Sequence, residues 1–157
     1  MKIRQATLDD AKIVAQLNTH VQGVHRDALP EIFKPVAIDD EFIALYAELI
    51  RKEDSRIFIA EDNGQAIGYI NALVHHRPEN PFSYERHYIL VDAMSVNPDY
   101  YGTGVADMLM QSVKDFAIEQ GMQKVVLDVW DFNGRAKRFY EKQGFTTYNH
   151  RMQLMLE

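Results

Sequence analysis

The stretch Val96-Asn97-Pro98-Asp99-Tyr100-Tyr101-Gly102-Thr103-Gly104-Val105-Ala106 joins two elements of opposite periodicity. Before it, His87 to Val96 reads as a strand. After it, Val105 to Gln120 carries Met108, Leu109, Val113, Phe116 and Ala117 at helical spacing. Small residues at 102, 104 and 106 occupy the junction. The first-turn N–H groups of a helix lack intrahelical partners, and the macrodipole puts partial positive charge there. Small side chains let a phosphate approach such a backbone closely. The stretch therefore predicts a strand, an anion-binding turn and a helix, in that order.

Working outward, Met1 to Ala6 reads as a half-buried strand, and Thr7 with Asp10 resembles a capping box. Ala11, Val14, Ala15, Leu17 and Val21 follow at helical spacing, and His25 to Ala37 is a connector bracketed by Pro30 and Pro35. Asp39 can cap a second helix with Phe42, Ile43, Leu45, Tyr46, Leu49 and Ile50 on its apolar stripe. Residues 56–61 and 66–74 are strands around Asn63-Gly64, a strong hairpin signal. Beyond the opening stretch, Gly121 ends the helix and residues 124–130 form a buried-type strand. Asn133 opens a short helix that Gly144 ends, and Phe145 to Leu156 is expected to complete the sheet as one or two strands. The order is β-α-α-β-β-β-α-β-α-β, a mixed α/β chain without repeats or linkers, expected to form one domain over residues 1–157.

Composition narrows the function. Apolar residues make up 46% and charged residues 25%, ordinary for a globular protein with a core. The net charge of −6 argues against a nucleic-acid partner and is compatible with cationic substrates. No apolar run suggests a membrane span, and the N-terminus reads as a strand, not a signal peptide, so a cytoplasmic location is expected. The chain has no cysteine, so any thiol chemistry must come from a ligand. No metal is expected either, because His75 and His76 are adjacent strand residues facing opposite ways with no evident third ligand.

Two segments together resemble the GNAT superfamily of N-acetyltransferases. The opening stretch is similar to the family's acyl-CoA motif, V-x-P-x-x-(Q/R)-G-x-G-x-(G/A). Asn133-Gly134-Arg135-Ala136-Lys137-Arg138-Phe139-Tyr140-Glu141-Lys142-Gln143-Gly144-Phe145 is similar to its second motif, N-x-x-A-x-x-F-Y-x-x-x-G-F. The resemblance covers essentially the whole chain. It implies a central, mostly antiparallel twisted sheet with helices on both faces, and direct transfer of acetyl from acetyl-CoA to an amine without an acyl-enzyme. Tyr101 is the departure, standing where the family usually has Arg or Gln. It removes a charge-assisted contact, for which Arg135, Arg138 or Lys142 could compensate, and predicts weaker CoA binding than is usual.

Three tasks then need residues. For donor binding the resemblance implies the Gly102, Thr103, Gly104, Val105 and Ala106 backbone at the pyrophosphate, with Tyr101 in the same loop. It also implies pairing of the Met94, Ser95 and Val96 backbone with the pantetheine arm. Asn133 matches a CoA-contacting position, or simply caps its helix. For protonating the departing thiolate, Tyr140 matches the family's general acid; the alternative is that it only packs. For deprotonating the acceptor, Asp92 lies two residues before Met94, hence on the same face by strand alternation, and compares with a Glu of the polyamine-acetylating branch. A structural Asp satisfied by its neighbours is the alternative. His76, Glu85 and His87 are weaker base candidates.

The connector is expected to line the acceptor pocket through His25, Glu31 and Phe33, with Tyr84 adding an apolar wall. The alternative is a plain linker with Phe33 in the core. The leading reading is a small-molecule amine acetyltransferase. A protein or peptide N-acetyltransferase and a non-catalytic CoA-sensing module are the others. Many relatives dimerise, and no feature of the chain fixes a homodimer mode.

Overall fold

The computed structural model describes residues 1–156. Its five strands are β1 (Lys2–Gln5), β2 (Ser55–Asp62), β3 (Gln65–Arg77), β4 (Arg86–Val96) and β5 (Val125–Leu127). They lie side by side in chain order in one sheet. The first three pairings are antiparallel and β4 with β5 is parallel. The helices are α1 (Ala11–Ala28), α2 (Asp40–Arg51), α3 (Val105–Glu119) and α4 (Gly134–Lys142). A parallel pair needs a long crossover, and α3 is its helix.

Strand alternation gives the sheet two apolar faces. One packs Val14, Leu17 and Tyr46 of α1 and α2 against Ile57, Ile59 and Tyr69. The other packs Leu109, Met110, Val113 and Phe116 of α3 against Ile67, Ile70, Ile89 and Val91. Helices therefore cover both faces, as expected. The β2–β3 hairpin turns at Asn63 and Gly64, both at positive φ (49° and 80°), the conformation of a tight two-residue turn. The capping box also forms, with the Thr7 N–H donating to Asp10 Oδ2 at 2.8 Å.

Three boundaries differ from the expectation. First, α1 runs to Ala28, so His25 sits in its last turn and the connector starts at Leu29. Second, β5 has three residues instead of seven. Third, residues 145–156 form no strand. The apolar alternation is present, yet Met152 is 90% and Leu154 83% exposed. A strand exists only where an edge accepts its hydrogen bonds, and three residues of β5 offer little edge.

The irregularity in β4 matters most. Asn71 pairs with Ala93 and Ala72 with Val91, which leaves Asp92 as the extra residue of a bulge. Before it Ile89 and Val91 face α3, and after it Met94 and Val96 do. The alternation thus slips by one residue at Asp92.

Candidate active site

The bulge opens a cleft. β5 pairs with β4 only over Ile89–Val91, so from Asp92 onward the two parallel strands part. The β4 backbone at Met94, Ser95 and Val96 then lines a cavity of about 680 Å³. Their side chains are committed elsewhere: Ser95 Oγ donates to Leu17 O at 2.6 Å, and Met94 and Val96 join the core beneath α3. What this segment offers the cleft is its backbone, an unused strand edge.

At the far end of that edge the chain makes a 3-10 turn (Pro98–Tyr100) and reaches α3 through Gly102 (φ 77°) and Gly104 (φ 88°). Both φ values lie in the left-handed region that glycine adopts freely. An added Cβ would meet nothing within 4 Å at either, so conformation, and not crowding, selects glycine here. Gly104 caps α3 without a side-chain acceptor, and the first intrahelical bond runs from Met108 N–H to Gly104 O at 3.1 Å. The N–H groups of Val105, Ala106 and Asp107 therefore have no partner inside the helix. Open space, free donors and the positive end of a 15-residue helix fit a pyrophosphate.

Tyr101 borrows its charge from α4. The Arg135 guanidinium lies 3.9 Å from the Tyr101 ring centroid, and its Nη2 donates to Tyr101 Oη at 3.1 Å. Both residues line the cleft, so a fixed cation sits on the mouth of the glycine loop. Lys142 lines it too, whereas Arg138 does not. On the same helix Asn133 Oδ1 accepts from Ala136 N–H at 3.1 Å, capping α4 while lining the cleft.

Tyr140 is held in α4 between Phe139 and Phe145. Burial pushes its phenol up to about 12, so it is fully protonated at neutral pH. Across the cleft, Asp92 Oδ2 accepts from Asn71 Nδ2 at 3.4 Å, and Asn71 Oδ1 accepts from Ser55 Oγ at 3.2 Å. Burial also pushes Tyr46 up to about 12, and raises the nearly inaccessible Tyr69 well above its usual value. The Asp92 charge adds to both shifts. Asp92 therefore stands on the α1–α2 face of the sheet. Alternation had placed it on the Met94 face, and the bulge reverses that.

An aromatic group closes the end beside α1. His25 and Phe33 rings are 5.0 Å apart, Phe33 and Trp130 meet edge-on at 5.3 Å, and Phe132 flanks both His25 and Trp130. Desolvation lowers the His25 pKa, which favours the neutral imidazole.

Residues 21–145 match the acetyltransferase (GNAT) family model. The chain belongs to the GNAT family. It is similar to the uncharacterized N-acetyltransferase YhfO of Bacillus subtilis, 29% identical over 145 residues, covering 92% of this chain and 89% of that one. The uncharacterized N-acetyltransferase Rv2669 of Mycobacterium tuberculosis is 33% identical over 102 residues, which are 65% of this GNAT chain and 60% of that protein. Among solved structures, the tetramutant of the BH1408 protein from Bacillus halodurans superposes with TM-score 0.90 at 25% identity, covering 99% and 100% of the two chains. The aminoglycoside acetyltransferase AAC(6')-Iy, solved with the bisubstrate analogue CoA-S-monomethyl-acetylneamine, shares the fold at TM-score 0.73 and 20% identity, covering 99% and 97%.

Within this GNAT fold, one cleft gathers Asp92, Met94, Ser95, Val96, Tyr101, Gly102, Gly104, Val105, Ala106, Asn133 and Tyr140, with His25 and Phe33 at its other end. Thr103, Glu31 and Tyr84 are outside that lining. The Thr103 hydroxyl donates to Tyr100 O at 2.7 Å, bracing the loop from behind. Glu31 is exposed on the connector, and Tyr84 is 85% exposed in the β3–β4 loop. Trp130 and Tyr46 also line the cleft, although the sequence does not point to either as a site residue. Trp130 falls in a segment read as strand, and Tyr46 reads as the core stripe of a helix, so neither carried a local signal.

Proposed function

We propose that this GNAT protein transfers the acetyl group of acetyl-CoA to a primary amine of a small molecule. The observation that supports this reading best is the convergence of the glycine loop, the parted β4 edge and Tyr140 on one cavity. Acetyl-CoA supplies the activated acetyl group. The pyrophosphate is held by the Gly102–Ala106 backbone and by Arg135, and the β4 edge takes the pantetheine amides as an added strand would.

Tyr140, protonated with a pKa near 12, donates a hydrogen bond to negative charge developing on the departing sulfur. A thiol's reference pKa is about 8.5, well below the phenol's, so the phenol's main contribution is that bond; a proton that passes from Tyr140 to the sulfur is replaced on the phenol from solvent. Asp92 receives the acceptor's proton, through water at the reach of an Asp. The neutral His25, Phe33 and Trp130 form an aromatic wall suited to the carbon skeleton of an amine, while Asp92 and Asp128 favour its charge.

Calorimetric titration with acetyl-CoA and a thiol-release assay over polyamines, aminoglycosides, amino acids and N-terminal peptides test the reading together. Turnover confined to small amines is the expected result. Turnover confined to peptides makes the protein a peptide acetyltransferase. Tight CoA binding with no turnover on any amine makes it a CoA sensor.

A further inference from the structure

The β3–β4 hairpin carries a side-chain cluster that the acetyl-transfer chemistry does not use. His76 and His87 are direct cross-strand partners, so both imidazoles stand on one face of the sheet. Their rings stack with centroids 4.3 Å apart and planes 4° apart. Glu85, the residue before β4, turns its Oε1 to both: 2.6 Å from His76 Nε2 and 3.3 Å from His87 Nε2. All three ligand atoms lie within 4.8 Å of one another, and among the described residues this is the one such group. None of the three lines the catalytic cleft.

We propose that His76, Glu85 and His87 form a binding site for a divalent transition-metal ion such as Zn²⁺. The donor set is two imidazoles and one carboxylate, a combination that suits Zn²⁺, Ni²⁺ and Cu²⁺ and not the oxygen-seeking Mg²⁺ or Ca²⁺. Tetrahedral ligation with bonds of about 2.0–2.1 Å puts ligand atoms about 3.3 Å apart. The His87–Glu85 pair already has that spacing. The His76–Glu85 pair would open by a fraction of an ångström when a metal replaces the shared hydrogen, and the two imidazoles, whose in-plane lone pairs run parallel in the stack, would rotate out of it to converge on the ion. The exposed position leaves a fourth coordination place to water. The next rung, Arg77 opposite Arg86, belongs by alternation to the other face, so its charges point away from the ion.

Strand pairing creates the site. His76 and Glu85 are separated by the 78–84 loop, and only the antiparallel register brings them together. His75, next to His76 in the chain, stacks instead on Tyr88 on the opposite face. A bound ion would clamp the stem of the hairpin and so stabilise the folded chain.

The test uses untagged full-length protein stripped of metal by a chelator. Equilibrium dialysis against Zn²⁺, with metal quantified, is expected to show one equivalent bound at about 10 µM or tighter. Mg²⁺ is expected to show none, and Zn²⁺ is expected to raise Tm. Glu85→Gln is expected to weaken binding by roughly 10-fold or more, and His76→Ala/His87→Ala to remove both the binding and the Tm rise. Circular dichroism of each variant checks that it folds, and His20, His25, His75 and His150 remain as internal controls. No saturable Zn²⁺ binding below about 100 µM, or binding unchanged in the double variant, overturns the proposal.

Discussion

In the proposed reaction two side chains of α4 divide the work at the glycine-loop end of the cleft, and their removal has different expected signatures. Tyr140→Phe keeps the ring between Phe139 and Phe145 and deletes only the hydroxyl. We expect kcat to fall about 10²-fold, the usual loss for one donor aimed at developing charge, with acetyl-CoA affinity within roughly 2-fold. Unchanged kcat in single-turnover kinetics would remove the phenol from the reaction. Arg135→Ala has the opposite signature. It deletes the cation stacked at 3.9 Å on Tyr101, and acetyl-CoA affinity is expected to drop about 10-fold while kcat at saturation holds. Equal affinity in calorimetry would mean that Arg135 serves only Tyr101. The residue identities at 101 and 135 were legible in sequence as a missing cation and three candidate replacements. Which cation takes the place was not, because it depends on where a neighbouring helix lands.

At the scale of elements, the glycine loop and the bulged strand β4 line the cleft proposed to hold the acetyl donor. Gly104→Glu keeps neither the left-handed φ of 88° nor the electrostatics, since it adds a carboxylate beside the free N–H groups of α3. Acetyl-CoA binding is expected to become undetectable by calorimetry, while the far-UV spectrum keeps its helical and strand signal. The position has open space around it, so a Cβ clashes with nothing. Retained affinity would show that the pyrophosphate lies elsewhere. This loop was readable locally because strand, small residues and helix are contiguous. The bulge at Asp92 was not readable, because it is a mismatch between two strands about twenty residues apart, and no period in either one records it. For the same reason the final segment reads as strand in sequence and forms none in the fold. Its alternation is local, but its partner edge is not.

At the scale of the whole molecule, the first strand and first helix are pinned to the sheet by one charged group of three. Arg4 donates through both Nη atoms to the carboxylate of Asp10, each at 2.7 Å, and through Nε to Glu61 on β2 at 2.6 Å. Asp10 is 5% exposed and also accepts from the N–H and hydroxyl of Thr7. The Arg4 bonds come first, Thr7 second, and together they hold the Asp10 carboxyl down at about 2 against desolvation. A carboxylate whose pKa is lower folded than unfolded binds protons more readily when unfolded. Its stabilisation is therefore fully present above the unfolded value near 3.8 and is lost as pH falls through the folded value of about 2. Arg4 is about a third exposed, so screening limits the contribution to about 1–2 kcal/mol at neutral pH. Arg4→Ala is accordingly expected to lower Tm by roughly 3–6 °C at pH 7. The gap between variant and parent should narrow steadily below about pH 4 and close only below about pH 2, as Asp10 becomes protonated in both states. Thermal melts of the two proteins across that range decide the matter. A gap that stays constant with pH would mean that Arg4 stabilises the β1–α1 corner by packing its aliphatic stem, not by charge.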